Sequence, residues 1–89
     1  MHIEHETGRG WVRVDLRDES GVVATATLHT GDYPGDEECV VTIARTVSRG
    51  WLTTLVRSVC AHTESRTKVL AAFAPHVALA AAEAEAVAA

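Results

Sequence analysis

The segment SRGWLTTLVRSVC, Ser48 to Cys60, decides how this chain of 89 residues is organised. Its apolar residues Trp51, Leu52, Leu55, Val56, Val59 and Cys60 recur at i, i+1, i+4, i+5, i+8 and i+9, which traces one stripe at the period of an α-helix. Thr53, Thr54, Arg57 and Ser58 take the opposite side. Ser48, or Thr46, carries the side-chain oxygen that caps a first turn. A helix with a single apolar stripe needs a surface to cover, and the residues before it read as strands that supply one.

From Gly10 to Arg17 the alternation is strict. Val12, Val14 and Leu16 face one way and Arg13, Asp15 and Arg17 the other, a strand with one dry and one wet side. Asp18-Glu19-Ser20-Gly21 reads as a turn. A second strand follows from Val22 to His29, with Val22, Ala24, Ala26 and Leu28 set against Val23, Thr25, Thr27 and His29. The small Ala24 and Ala26 leave room for a bulky group such as Trp51. TGDYPGDEE, residues 30–38, is an acidic, turn-rich connection. The third strand runs from Cys39 to Arg45; Val41 and Ile43 oppose Val40 and Thr42, and two semi-apolar faces predict a central position or a dimer contact. Residues 1–9 lack periodicity and read as a flexible or edge-pairing lead-in.

Beyond Cys60 the pattern weakens through AHTESRTK, which predicts a break or bend. Val69, Leu70 and Phe73 restore an apolar face, and Pro75 suits the first position of a new helix. The closing stretch, residues 76–89, is an Ala-rich helix with little to bury, whose small side chains permit close approach of another helix. The expected fold is α+β in a single small domain, 1–89. A three-stranded antiparallel meander is packed by an amphipathic helix and followed by one or two C-terminal helices (β-β-β-α-α).

The totals bound the function. The formal charge is −4, with 12 acidic residues against eight Lys and Arg, and residues 1–48 hold nine of the acids. An acidic chain is poorly suited to the phosphates of nucleic acid, leaving only a local patch around Arg49, Arg57, Arg66 and Lys68. Four aromatics (Trp11, Tyr33, Trp51, Phe73) leave Val, Leu and Ala to fill a thin core, and a second subunit is expected to complete it as a homodimer. Two cysteines and a start without a basic or apolar signal region suggest reduced thiols in the cytoplasm. The apolar run Val69–Ala82 is broken by Pro75 and His76, so no membrane span is expected. The weight of Ala, Val, Thr and Arg against one Lys suggests a high-GC bacterial or phage origin.

No group of residues announces chemistry. His2 and His5 with Glu4 and Glu6 are metal-ligand types, but on a lead-in without rigid geometry they assign no metal. Cys60 and His62 diverge by about 200° on a helix, so Cys60 reads as a small core hydrophobe. Cys39 would reach Cys60 only if the helix crosses the third strand, and a disulfide is not indicated. His29 with Asp32, and His76, stand isolated; Asp32, Asp36, Glu37 and Glu38 do not match the spacing of a calcium loop. No catalytic, cofactor or metal residue is assigned. The expected interaction surface is Arg13, Asp15 and Arg17 with Thr25 and Thr27 on the open strand face, together with Arg49, Trp51 and Arg57, or else the C-terminal helix.

Two resemblances bear on the alternatives. VVATATL followed by SRGWLTTLVRSVCAHTE loosely resembles the start of a GNAT acetyltransferase, whose loop amides hold the coenzyme A pyrophosphate at a helix N-terminus. Arg49-Gly50 echoes that loop, with Trp51 and Leu52 where a second glycine belongs; the resemblance implies an acyl-CoA-binding protein. The pattern W-V-x-V-x-L … A-x-A-x-L, residues 11–28, resembles small actinobacterial proteins that look like ribosome hibernation factors, and implies a nucleic-acid- or ribosome-associated regulator. The leading expectation is a small non-enzymatic module that binds another protein, a regulatory or accessory factor acting as a homo-oligomer.

Overall fold

The computed structural model describes residues 1–30 and 37–88. Four strands, β1 (His2–Gly8), β2 (Trp11–Asp18), β3 (Gly21–His29) and β4 (Glu38–Ile43), are followed by helices α1 (Arg49–Cys60) and α2 (Arg66–Ala88). The strands form one antiparallel sheet in the order β1-β2-β3-β4. The class is α+β, with four strands rather than three. The additional strand is the N-terminal segment, which pairs along β2 from His2↔Arg17 to Gly8↔Trp11. Its sequence does alternate, Ile3, His5 and Thr7 against His2, Glu4 and Glu6, but with one aliphatic residue in seven it carries no hydrophobic signal.

Turn chemistry sets the register. Arg9-Gly10 closes β1 onto β2, with Gly10 at φ +80°, a value that favours glycine. Gly8 is required for a different reason. The Trp11 indole lies where a Cβ would stand, 2.2 Å from that position, so any side chain at Gly8 would displace the ring. At the next hairpin Asp18 Oδ1 accepts the Ser20 N–H at 2.7 Å, and Gly21 takes φ +115°.

A bulge between β2 and β3 corrects the expected facing of the second strand. Leu16 pairs with Ala24 but Arg17 pairs with Val22, so Val23 is the extra residue. It turns into the core at 2 % exposure, where strict alternation had set it on the wet face. Its carbonyl accepts the N–H groups of both Ala44 (2.9 Å) and Arg45 (3.3 Å). Those two bonds bend the chain off the sheet, so β4 ends at Ile43 instead of continuing to Arg45.

Ser48 is the N-cap of α1, its hydroxyl accepting the Trp51 N–H at 3.3 Å. Thr53, Thr54 and Ser58 satisfy their hydroxyls on the carbonyls of Arg49, Gly50 and Thr54, at 2.9, 3.1 and 3.0 Å, along the exposed side. Leu52, Leu55 and Val59 are buried, and Trp51, Val56 and Cys60 are half-buried beside them, as the stripe requires. They meet Val14, Leu16, Ala24 and Ala26 of the sheet and Val69 and Phe73 of α2 in one core. The helix stops at Cys60, and the chain turns through residues 61–65 before α2. The expected break is present; the expected restart at Pro75 is not. Pro75 lies inside α2. It is exposed, as is Ala71, whose carbonyl loses its N–H partner, so water can satisfy that carbonyl. Buried Phe73 and half-buried Val77 carry the apolar face across it. Among the described residues no helix is long and apolar enough to cross a membrane.

Two stability changes follow. Leu55→Ala, at a position with 0 % exposure, is expected to cost about 2–5 kcal/mol in urea unfolding. Pro75→Ala is expected to raise the melting temperature, because it restores a helical N–H without removing a buried contact.

Candidate functional site

With both helices on one side, the other face of the sheet is uncovered. It presents Glu4 and Glu6 of β1, Arg13, Asp15 and Arg17 of β2, and Thr25 and Thr27 of β3. Glu4 stands directly opposite Asp15 in the register, a like-charge pair that costs stability by itself. The arginines on either side relieve it. Arg17 Nε lies 2.9 Å from Glu4 Oε2, Arg13 pairs with Glu6, and Arg13 Nε lies 3.5 Å from Asp15 Oδ2. Asp15 also accepts the Thr25 hydroxyl at 2.9 Å and is only 8 % exposed. The structure therefore brings Arg13, Asp15, Arg17 and Thr25 together, but spends their charge on one another.

Arg49, Trp51 and Arg57 lie elsewhere, on α1. Arg49 and Arg57 are exposed and Trp51 is half-buried against the core. Of the expected basic patch, Arg57 and Arg66 line a shared recess with Leu70 between α1 and α2. Lys68 turns away from it, its Nζ donating to the Glu37 carbonyl at 2.9 Å. At the head of α1 the Ser48 cap takes the Trp51 N–H.

The two sheet edges differ in character. β1, HIEHETG, is lined with charge and imidazole. In β4 the five residues from Cys39 to Ile43 carry no charge and include three β-branched aliphatics. Natural edge strands are guarded by charge, and β1 is guarded in that way while β4 is not. β4 is therefore an outer strand, not the central one that its two semi-apolar faces suggested. Val40 is 45 % exposed on its uncovered side, whereas Cys39, Val41 and Ile43 pack toward the helices. The Ala44 N–H donates inward to Val23. Antiparallel alternation then directs the amides of Val40 and Thr42 to β3 and those of Cys39, Val41 and Ile43 outward. Next to this edge a groove of about 480 Å³ opens between the 43–47 segment and α2, lined by Ile43, Val47, Leu52, His76, Leu79 and Ala80. Leu79 is 60 % exposed.

Two polar ties hold this edge in place. Arg45 donates to Asp18 Oδ1 at 2.7 Å, which anchors the end of β4 to the β2–β3 hairpin. That hydrogen bond, with the Ser20 N–H, holds the Asp18 carboxyl below its ordinary value. At the other end the Ser65 and Thr63 hydroxyls hold the Glu37 carboxyl below its ordinary value, Thr63 donating at 2.7 Å. Glu37 thereby fastens the start of β4 to the α1–α2 connection, a partnership of residues far apart in the chain. Asp32 and Asp36, grouped with it in the sequence, lie outside the described residues.

The histidines also regroup. His2 and His5, named with Glu4 and Glu6 as metal-ligand types, sit on opposite faces of β1. His2 lies 3.4 Å from Glu4, while His5 meets His62. Cys39 and Cys60 are both free thiols, and Cys39 is pushed up by burial and by the neighbouring Cys60. Among the described residues no three His, Cys, Asp or Glu side chains converge on a metal position.

No protein-family model matches this chain, and no curated protein or solved structure shows significant similarity to it.

The Asp18–Arg45 tie has a pH signature. A carboxyl whose pKa is lowered by folding contributes stability above its unfolded value, near 4, and loses it as pH falls through the folded one. In urea titrations between neutral and acid pH, Asp18→Asn is expected to lower stability at neutral pH and to flatten the acid loss relative to the parent.

Proposed function

We propose that the protein is a small non-enzymatic interaction module that works by strand addition at β4, in the first instance with a second copy of itself. The observation that carries this reading is the contrast between the edges. β1 is charged, whereas β4 offers three outward amide–carbonyl pairs on an uncharged run beside an apolar groove. An added strand would take up those backbone groups and lay alternate side chains beneath α2, where Leu79 is exposed. The alanines of α2 permit a second helix to come close. The outer sheet face, internally paired as it is, serves as a solvated surface in this arrangement.

The test is solution mass by light scattering across a wide concentration range, for the parent and for Val40→Lys. Lysine at this exposed position adds the charge that the edge lacks without touching the core. The parent is expected to move from 9.5 kDa toward twice that mass as concentration rises, and V40K to remain monomeric. A parent that stays monomeric throughout, or a V40K dimer as stable as the parent's, would overturn self-pairing at β4.

A further inference from the structure

We infer that His5 and His62 form a two-imidazole site for a divalent transition-metal ion of the zinc or nickel type, clamping edge strand β1 to the end of α1. Nδ1 of His5 lies 3.0 Å from Nε2 of His62, with ring centroids 5.2 Å apart and planes inclined by 54°. Two nitrogens bound at 2.0–2.1 Å to one metal, at angles between square and tetrahedral, are about 2.9–3.4 Å from each other. The observed separation falls within that interval. Both rings are exposed, so an ion and its waters have access from solvent.

The fold holds the two backbones close, and the hydrogen bond between the rings sets the 3.0 Å separation of the nitrogens. His5 is fixed on the helix side of β1 by its register opposite Val14. His62 is fixed by the turn that follows α1, where its N–H bonds the Val59 carbonyl at 3.0 Å. Turning both lone pairs toward a common ion therefore needs only side-chain rotation. Glu37 and Glu64 line a recess beside His62 and add negative charge near it, without joining the two imidazoles as ligands. In the metal-free pair one nitrogen donates its proton to the other. Metal binding needs both lone pairs, so that proton leaves and is replaced on the other nitrogen of the same ring, with no net release from two neutral imidazoles. Two imidazoles and water select zinc, nickel or copper over magnesium or calcium, which prefer all-oxygen shells.

The consequence is mechanical. Ile3 is the residue of β1 that packs against the core, so a metal bridge would give this strand a second anchor to the helical layer. Isothermal titration of the full chain with zinc chloride is expected to show saturable 1:1 binding. Once free zinc is roughly tenfold above Kd, the melting temperature should rise by about 5–10 °C. H5A and H62A should each abolish both effects, with H5N and H62N as a second pair to guard against a folding defect. H2A, on the opposite face, should retain them, and magnesium should produce neither. No saturable binding up to about 1 mM zinc, or binding that survives loss of either His5 or His62, would overturn the site.

Discussion

The fold rests on one constraint: the sheet has a single apolar face, and that face is narrow. Val14, Leu16, Ala24, Ala26 and Leu28 are all at 1 % exposure or less, while the residues alternating with them are charged or hydroxylated. Both helices must therefore lie on the same side. Once α1 has placed Leu52, Leu55 and Val59 over β2 and β3, the remaining cover falls to Val69 and Phe73 of α2. The bulge at Val23 serves the same end. It adds an inward side chain beside the small Ala24 and Ala26, and its carbonyl turns the chain from β4 toward α1. A slip of one residue at this point would expose Leu16 and Ala24 together.

Because burial is one-sided, the character of the other surfaces is left to polar chemistry. The open face solves a like-charge opposition, Glu4 against Asp15, by interleaving arginines. That leaves charge compensated largely within the face itself. β4 has had no such treatment. Its tie points, Arg45 to Asp18 and Glu37 to Thr63, secure the two ends of the strand and leave the middle uncharged. Tied ends thus flank an uncharged centre.

The sequence was most legible where apolar periodicity is strong. The stripe from Trp51 to Cys60, its Ser48 cap and the β2–β3 hairpin could be read directly, since each is a local pattern with a local cause. β1 was hidden because Ile3 is its sole aliphatic side chain; its pairing is determined by the Arg9-Gly10 turn and by Trp11 lying over Gly8. Pro75 misled because buried Phe73 and half-buried Val77 hold the helix across it, while exposure of Ala71 lets water meet the carbonyl that loses its partner. Arg13, Asp15 and Arg17 were recognisable as one face, but their mutual neutralisation depends on Glu4 and Glu6 of a strand that the pattern did not disclose. The meeting of His5 with His62, and of Glu37 with Thr63, spans dozens of residues and leaves no trace in local spacing.

The proposal that β4 is an edge open to a partner strand is tested most directly by amide hydrogen exchange read residue by residue along Glu38–Ile43. In dilute protein the amides of Val40 and Thr42 should be protected, while those of Cys39, Val41 and Ile43 exchange fast. On concentration the second set should gain protection together. Fast exchange at Cys39, Val41 and Ile43 at every concentration, or protection of all five in the monomer, would contradict it.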